Sequence, residues 1–380
     1  MTPAIPSAPA QLALDTIHQR PVIGIPSWLI HVMDHAHIER LAGANPGDYR
    51  RDPRATYLAF QRGVGTCLLD QWIPDNPLTM GSGGYAGERR ATTGLARVVV
   101  DGIHIDSPEA VVEHLEGVAF PALRQQSAAF DEDVRVQQII EGESQIQHVL
   151  GPTILKSGYG YVRFPSFAYG TYGYEPYFCA YALYPDVIER HFQLQSEVAR
   201  VHNRAAARAV VEGGLPPLYR LDHDMADSRG TLVHIDSLDR LWLPHFAHSI
   251  EPLVQAGVRL LWHCDGNLME MVPRLLEAGI AGFQGFQYED GMDYRRICAM
   301  KSKAGDDLII IAGVSVTTTL PFGSPAAVRD EIRWLVEQGP RAGLFLGGSS
   351  TIAPGTPFDN IAALVEGFAH YREHGRSATG

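Results

Sequence analysis

Two short segments concentrate side chains that bind metals or move protons. In one, His263 and Asp265 flank Cys264 and run into Gly266 and Asn267. In the other, Asp222 and Asp224 flank His223. Imidazole and carboxylate suit zinc, iron and other divalent ions. Residues two apart on an extended strand end turn to the same side, so His263 and Asp265 are the expected metal ligands and Cys264 is expected to face away. A buried histidine paired with a carboxylate would use the same residues without any ion. Asp222 and Asp224 are the expected catalytic carboxylates, since one can act as a base held by the other, or both can hold a metal. Solvated loop acids are the plainer alternative. Gln287 belongs to the same expected catalytic group, in a run with Gln284, Glu289 and Asp290.

These segments matter because of the elements that precede them. In the C-terminal 170 residues short apolar runs alternate with longer amphipathic ones, the pattern of βα units around a parallel sheet. Strands are expected over residues 218–222, 259–263, 280–283, 308–312 and 344–346. The helices between them are expected at 236–256, capped by Asp236 or Ser237, and at 268–278, 293–302, 325–338 and 359–373. Ser324 caps the helix at 325–338, with proline at its first position. The architecture is thus a (β/α)8 TIM barrel with an irregular N-terminal half and inserted loops. In such barrels the catalytic groups sit at the C-terminal ends of strands, which is where Asp222, His263 and Gln287 fall.

The N-terminal half is harder to read. Strands are expected at 21–25 and 66–69, a hairpin at 97–105 around Asp101-Gly102, and one long helix over 191–211. Residues 159–178, YGYVRFPSFAYGTYGYEPYF, carry too many rings for a free loop, and they either pack a satellite core or wall a ligand pocket. On the second reading Arg163, Phe164, Tyr169 and Tyr172 contact substrate, together with Trp28, Asn267 and Ser350. Glu141, Glu143 and the His31, His35 and His37 group show no metal-binding pattern such as HExxH.

Bulk properties narrow the classes. Net charge is −12 over 380 residues and the basic residues are scattered, unlike a nucleic-acid binder with its basic face. No run approaches the roughly 18 apolar residues of a membrane span. Residues 1–20 are rich in proline and alanine and lack the form of a signal peptide, so a flexible arm, a single domain over 21–375 and a cytoplasmic location are expected. Cys67, Cys179, Cys264 and Cys298 fall in no paired spacing and are expected as free thiols.

With these residues placed, the C-terminal half resembles the uroporphyrinogen decarboxylase and corrinoid-methyltransferase superfamily. The track runs LDHDMADSRGTLV, LLWHCDGNLMEMVPRLLEAGIAGFQ, LIIIAGVSV and LFLGGSSTIAPGTPFDNIAALVEGF, over roughly residues 215–375. The resemblance implies a (β/α)8 barrel. It also implies a small-molecule substrate, a divalent metal such as zinc, a corrinoid carried by a partner protein, and a homodimer. The methyltransferases of the family read His-x-Cys-Gly-Asn at the turn, with a second cysteine after the last strand; here those positions are Asp265 and Ser350. The site implied is therefore harder and richer in oxygen than a zinc–thiolate centre. The decarboxylase's arginine-bearing N-terminal segment has no counterpart, as PVIGIPSWLIHVMDH holds no arginine. The resemblance implies a metal-assisted methyl transferase. A carboxy-lyase working without metal and a non-catalytic corrinoid-binding accessory protein are the alternatives.

Overall fold

The computed structural model describes residues 8–75 and 98–376. Its centre is a curled sheet of six parallel strands. From one edge the order is Leu344–Gly348, Ile309–Val314, Gly282–Gln284, Arg259–His263, Leu218–Asp222 and Gly158–Tyr159. Five of these follow one another with helical crossovers, so sequence neighbours are sheet neighbours, as right-handed βα units require. Leu68–Leu69 pairs in parallel with Leu155–Lys156. Isolated parallel bridges join Ser27 to Leu346 and Trp28 to Leu68.

The strands alternate faces. Trp262 turns outward from Arg259–His263 and meets Trp242, Phe246 and Phe164, with ring centroids 5.9, 5.3 and 5.4 Å away. Phe246 is fully buried and stacks on Trp242 at 4.5 Å. Truncation at that position removes a ring from a packed layer that cannot collapse. Phe246→Ala is expected to lower stability by about 3–5 kcal/mol in urea unfolding, with the slope unchanged.

Several elements lie where the residue pattern placed them: Leu218–Asp222, Arg259–His263 and Pro325–Gln338, the last with Ser324 accepting from Ala327 N. The long helix extends over Pro185–Gly213 and packs on Leu243–Gln255. The hairpin is Val98–Val100 against Ile103–Ile105, with Asp101 and Gly102 both at positive φ; Arg97, its expected first residue, lies outside the described residues.

Other boundaries move, for local reasons. Within the stretch expected as a flexible arm, Ala8–Ile17 form a helix, because Ala10, Ala13 and Ile17 make a buried stripe at helical spacing. The strand expected at 21–25 is absent, Ile23 being 83% exposed, and pairing begins instead at Ser27. The helix expected at 236–256 is two, Ile235–Leu241 and Leu243–Gln255, capped by His234 and restarted by Pro244 in the first turn. Likewise the helices read at 268–278 and 293–302 shorten to Val272–Ala278, with proline in its first turn, and to Tyr294–Cys298, capped by Asp293. The strand read at 280–283 is Gly282–Gln284. No helix among the described residues is long and apolar enough to cross a membrane, and all four cysteines are free.

Candidate metal centre

Strand register assembles the site. Asp222 is the Cα partner of His263, and His263 is the partner of Gln284. Residues in register on parallel strands point to the same face, so these three form one row at the C-terminal ends of three neighbouring strands. Asp224, two residues beyond the first strand, bends back over the row. Ligand atoms of Asp222, Asp224 and His263 lie within 4.8 Å of one another.

Each of the three is clamped at one atom and left open at another. The Gln284 carbonyl, which can only accept, lies 3.1 Å from His263 Nδ1. That nitrogen therefore carries the proton, and in the neutral ring Nε2 keeps its lone pair. Asp222 Oδ2 accepts from Arg220 Nη1 at 3.0 Å and from the Tyr159 hydroxyl at 3.3 Å. Asp224 Oδ1 accepts from Asp265 N at 3.1 Å. The other oxygen of each carboxylate accepts no hydrogen bond among the described residues. Two carboxylate oxygens and one imidazole nitrogen converging this way form a donor set for a hard or borderline divalent cation.

Asp265 stands at the rim, its Oδ1 3.9 Å from His263 Nε2. Burial raises its pKa, and the negative charges of Asp224, Asp222 and Asp290 raise it further, against the opposing pull of His263. Cys264 turns the other way, as strand alternation requires. Its sulfur accepts from Met225 N at 3.3 Å, and burial pushes the thiol up to about 12. The sulfur is not among the ligand atoms that converge at the strand ends.

The turn between strand and helix is shaped by glycine. A Cβ at Gly266 (φ 85°) would lie 2.6 Å from the Asp227 carbonyl oxygen, and the Gln287 side chain accepts from Gly266 N. Gln287 thus secures the turn that carries Asp265. Asn267 does similar work, its backbone N–H donating to the Asp227 carbonyl and its Oδ1 accepting from Met269 N. Gly285 (φ 70°) lies against the His263 ring, and a Cβ there would sit 3.2 Å from Nδ1 and collide with the Ser349 carbonyl. Gly285→Ala is expected to tilt the imidazole off the Gln284 carbonyl. A roughly 10- to 100-fold weaker divalent-ion affinity by calorimetric titration is the expected reading, the usual cost of disturbing a ligand's outer partner.

The remaining candidates divide. Arg163 and Phe164 border a cleft of about 300 Å³ together with Gln126, Gln195, Asp222 and His223. Tyr169 donates to the Asp224 carbonyl at 3.0 Å and stacks on His223, tying the aromatic segment to the ligand loop. His223 Nε2 accepts from Phe167 N, and burial drives its pKa down to about 4, so it is a neutral brace. Tyr172 is buried elsewhere, its hydroxyl 2.9 Å from His114 Nδ1. Ser350 makes no side-chain hydrogen bond among the described residues, whereas the neighbouring Ser349 carbonyl accepts from Gln284 at 3.4 Å. Trp28 reaches the site floor, its Nε1 donating to Asp70 Oδ1 at 3.0 Å.

That floor was not anticipated. Asp70 and Arg220 form a buried ion pair at 2.6 Å with side chains 2% and 5% exposed. The Arg220 guanidinium lies over Tyr159 at 4.7 Å and over Trp28 at 5.4 Å. Asp70 directly follows the Leu68–Leu69 strand, so the strand-end rule applied there would have found it. Glu143, which shows no metal-binding pattern in the sequence, is buried against Lys156 at 2.5 Å.

Residues 222–371 match the family model of Uroporphyrinogen decarboxylase (URO-D). Among curated proteins no sequence match is found. A methyltransferase from Methanosarcina mazei superposes with a TM-score of 0.58 at 17% identity, covering 96% of this chain and 98% of that one. A B12-independent methionine synthase from Shewanella, solved in complex with selenomethionine, gives 0.41 at 14% identity over 62% and 67%. The matched segment is the one that carries Asp222, Asp224 and His263, so the part of the chain that holds the candidate site is the part similar to that family.

Proposed function

We propose that this protein is a metal-assisted methyl transferase that passes a one-carbon group from a small oxygen- or nitrogen-bound donor to a corrinoid carried by a partner protein. The observation that carries the proposal is the convergence of Asp222, Asp224 and His263 at the strand ends, each held at one atom and open at another. Asp265 joins them as a further oxygen donor at the rim. Repulsion among Asp222, Asp224, Asp265 and Asp290 favours a cation in their midst. When bound, a divalent ion there would act as a Lewis acid on the donor's oxygen or nitrogen and make the methyl group easier to release.

The chain's own residues do the rest. Asp222 and Asp224 orient the leaving atom, and Tyr169 holds the Asp224 backbone in place while the aromatic segment excludes water. Cys264, buried and protonated, takes no part. The scaffold is a single domain that takes in the Ala8–Ile17 helix, a closed (β/α)8 barrel in which the six-stranded sheet and the Leu68–Leu69 and Leu155–Lys156 pair are arcs of one ring. The parallel bridges Ser27 to Leu346 and Trp28 to Leu68 support that closure. The free thiols support a cytoplasmic setting.

A decarboxylase reading draws on the family description. Against a polycarboxylate substrate stands the saturation of Arg220 by two carboxylates. The deciding experiment is elemental analysis of protein purified without chelators and after reconstitution, followed by methyl transfer to reduced cobalamin read by absorbance. One equivalent of metal and a methylated corrinoid product are expected. No metal under either condition would overturn the proposal and leave the carboxy-lyase.

A further inference from the structure

We infer that Arg220 is a positioning residue for the metal centre: by bridging Asp70 and Asp222 it fixes which carboxylate oxygen Asp222 presents to the cation. The inference rests on the metal-binding reading above. Arg220 lies two residues before Asp222 on one strand, so both turn to the same face. Its Nε donates to Asp70 Oδ2 at 2.6 Å and its Nη1 to Asp222 Oδ2 at 3.0 Å. Asp70 is anchored in turn by the Trp28 indole at 3.0 Å. The guanidinium plane is further held over the Tyr159 and Trp28 rings, and the Tyr159 hydroxyl closes on the same Asp222 oxygen.

Three consequences follow from this geometry. Oδ2 is occupied by two donors, which leaves Oδ1 as the oxygen available to an ion. The rotation of the carboxylate is set before any ion arrives, so little ordering entropy remains for binding to offset. A lysine could supply the charge but not the fork that reaches both acids at once.

The test is titration of Co(II) alone into the full-length protein, followed by calorimetry and by the visible spectrum of the bound ion. Thermal unfolding of each metal-free variant serves as the fold control. Wild type is expected to bind one equivalent, and Asp222→Asn to lose most of the affinity. Arg220→Met is expected to bind about 10- to 100-fold more weakly with an altered spectrum, the usual cost of losing an outer-shell partner, and Arg220→Lys to recover part of the loss. If Arg220→Met does not fold, the double variant Asp70→Asn with Arg220→Gln removes both buried charges and is expected to show the same loss. A folded Arg220 variant with wild-type affinity and spectrum would overturn the positioning role while leaving the metal centre standing. A wild-type protein that binds no Co(II) would remove both.

Discussion

His263→Ala is expected to lose its divalent ion altogether and methyl transfer with it, while Cys264→Ser keeps both. The two neighbours make a sharp pair because strand alternation sends them to opposite faces. His263 contributes the one nitrogen of the donor set, with its tautomer set by the Gln284 carbonyl. Its removal leaves carboxylates that repel one another with nothing to complete the coordination. The loss should therefore exceed the roughly 10- to 100-fold typical of an outer-shell change. Cys264 is buried on the other side, with its thiol pushed up to about 12 and its sulfur bonded to Met225 N. Elemental analysis and Co(II) titration of both variants read the contrast directly. Metal retained in His263→Ala, or lost in Cys264→Ser, would mean that the ion is held elsewhere.

The second large effect concerns acid stability. His191, wedged against Phe120 and Phe192, has its pKa driven from 6.5 to about 4 by burial and then by the nearby His114. His31 is lowered equally, by burial and then by the charge of Arg220. A histidine that binds its proton more weakly when folded favours unfolding as pH falls. Between pH 6.5 and 4 the unfolded chain takes up protons that the native chain refuses. Each of the two groups is expected to cost roughly 3 kcal/mol by pH 4. Urea midpoints should thus fall steeply below pH 6.5, and His191→Phe should flatten the fall by about 2–3 kcal/mol at pH 4.5. A His191→Phe profile parallel to wild type would show that another group governs the transition.

These expectations differ in how far the residue pattern alone could reach them. The βα rhythm of the C-terminal half was legible because strand and helix periods are local properties. Each apolar run there is bounded by a serine, proline or glycine that starts or stops an element, and Leu218–Asp222, Arg259–His263 and Pro325–Gln338 appear where those signals put them. Ala8–Ile17 carried a comparable local signal at positions 10, 13 and 17, hidden by the prolines around it.

The candidate site divides along the same line. His263, Asp222 and Asp224 were singled out because they follow strands, and the direction of Cys264 followed from a period of two. Their grouping depended on register: Asp222 beside His263 and His263 beside Gln284 is a relation between strands about 20 to 40 residues apart in the chain, and no local pattern encodes it. Arg220 shows the point most plainly. In sequence it is a basic residue inside an apolar strand. Only when the Leu68–Leu69 and Leu218–Asp222 strands are brought together do Asp70 and Asp222 close on its two ends. Side-chain type and spacing determined which residues could bind a cation, because donor chemistry is intrinsic to each group. Tertiary structure alone decided which of them meet, and which oxygen each presents, because those depend on distances set by strand register and by buried charge seeking its partner.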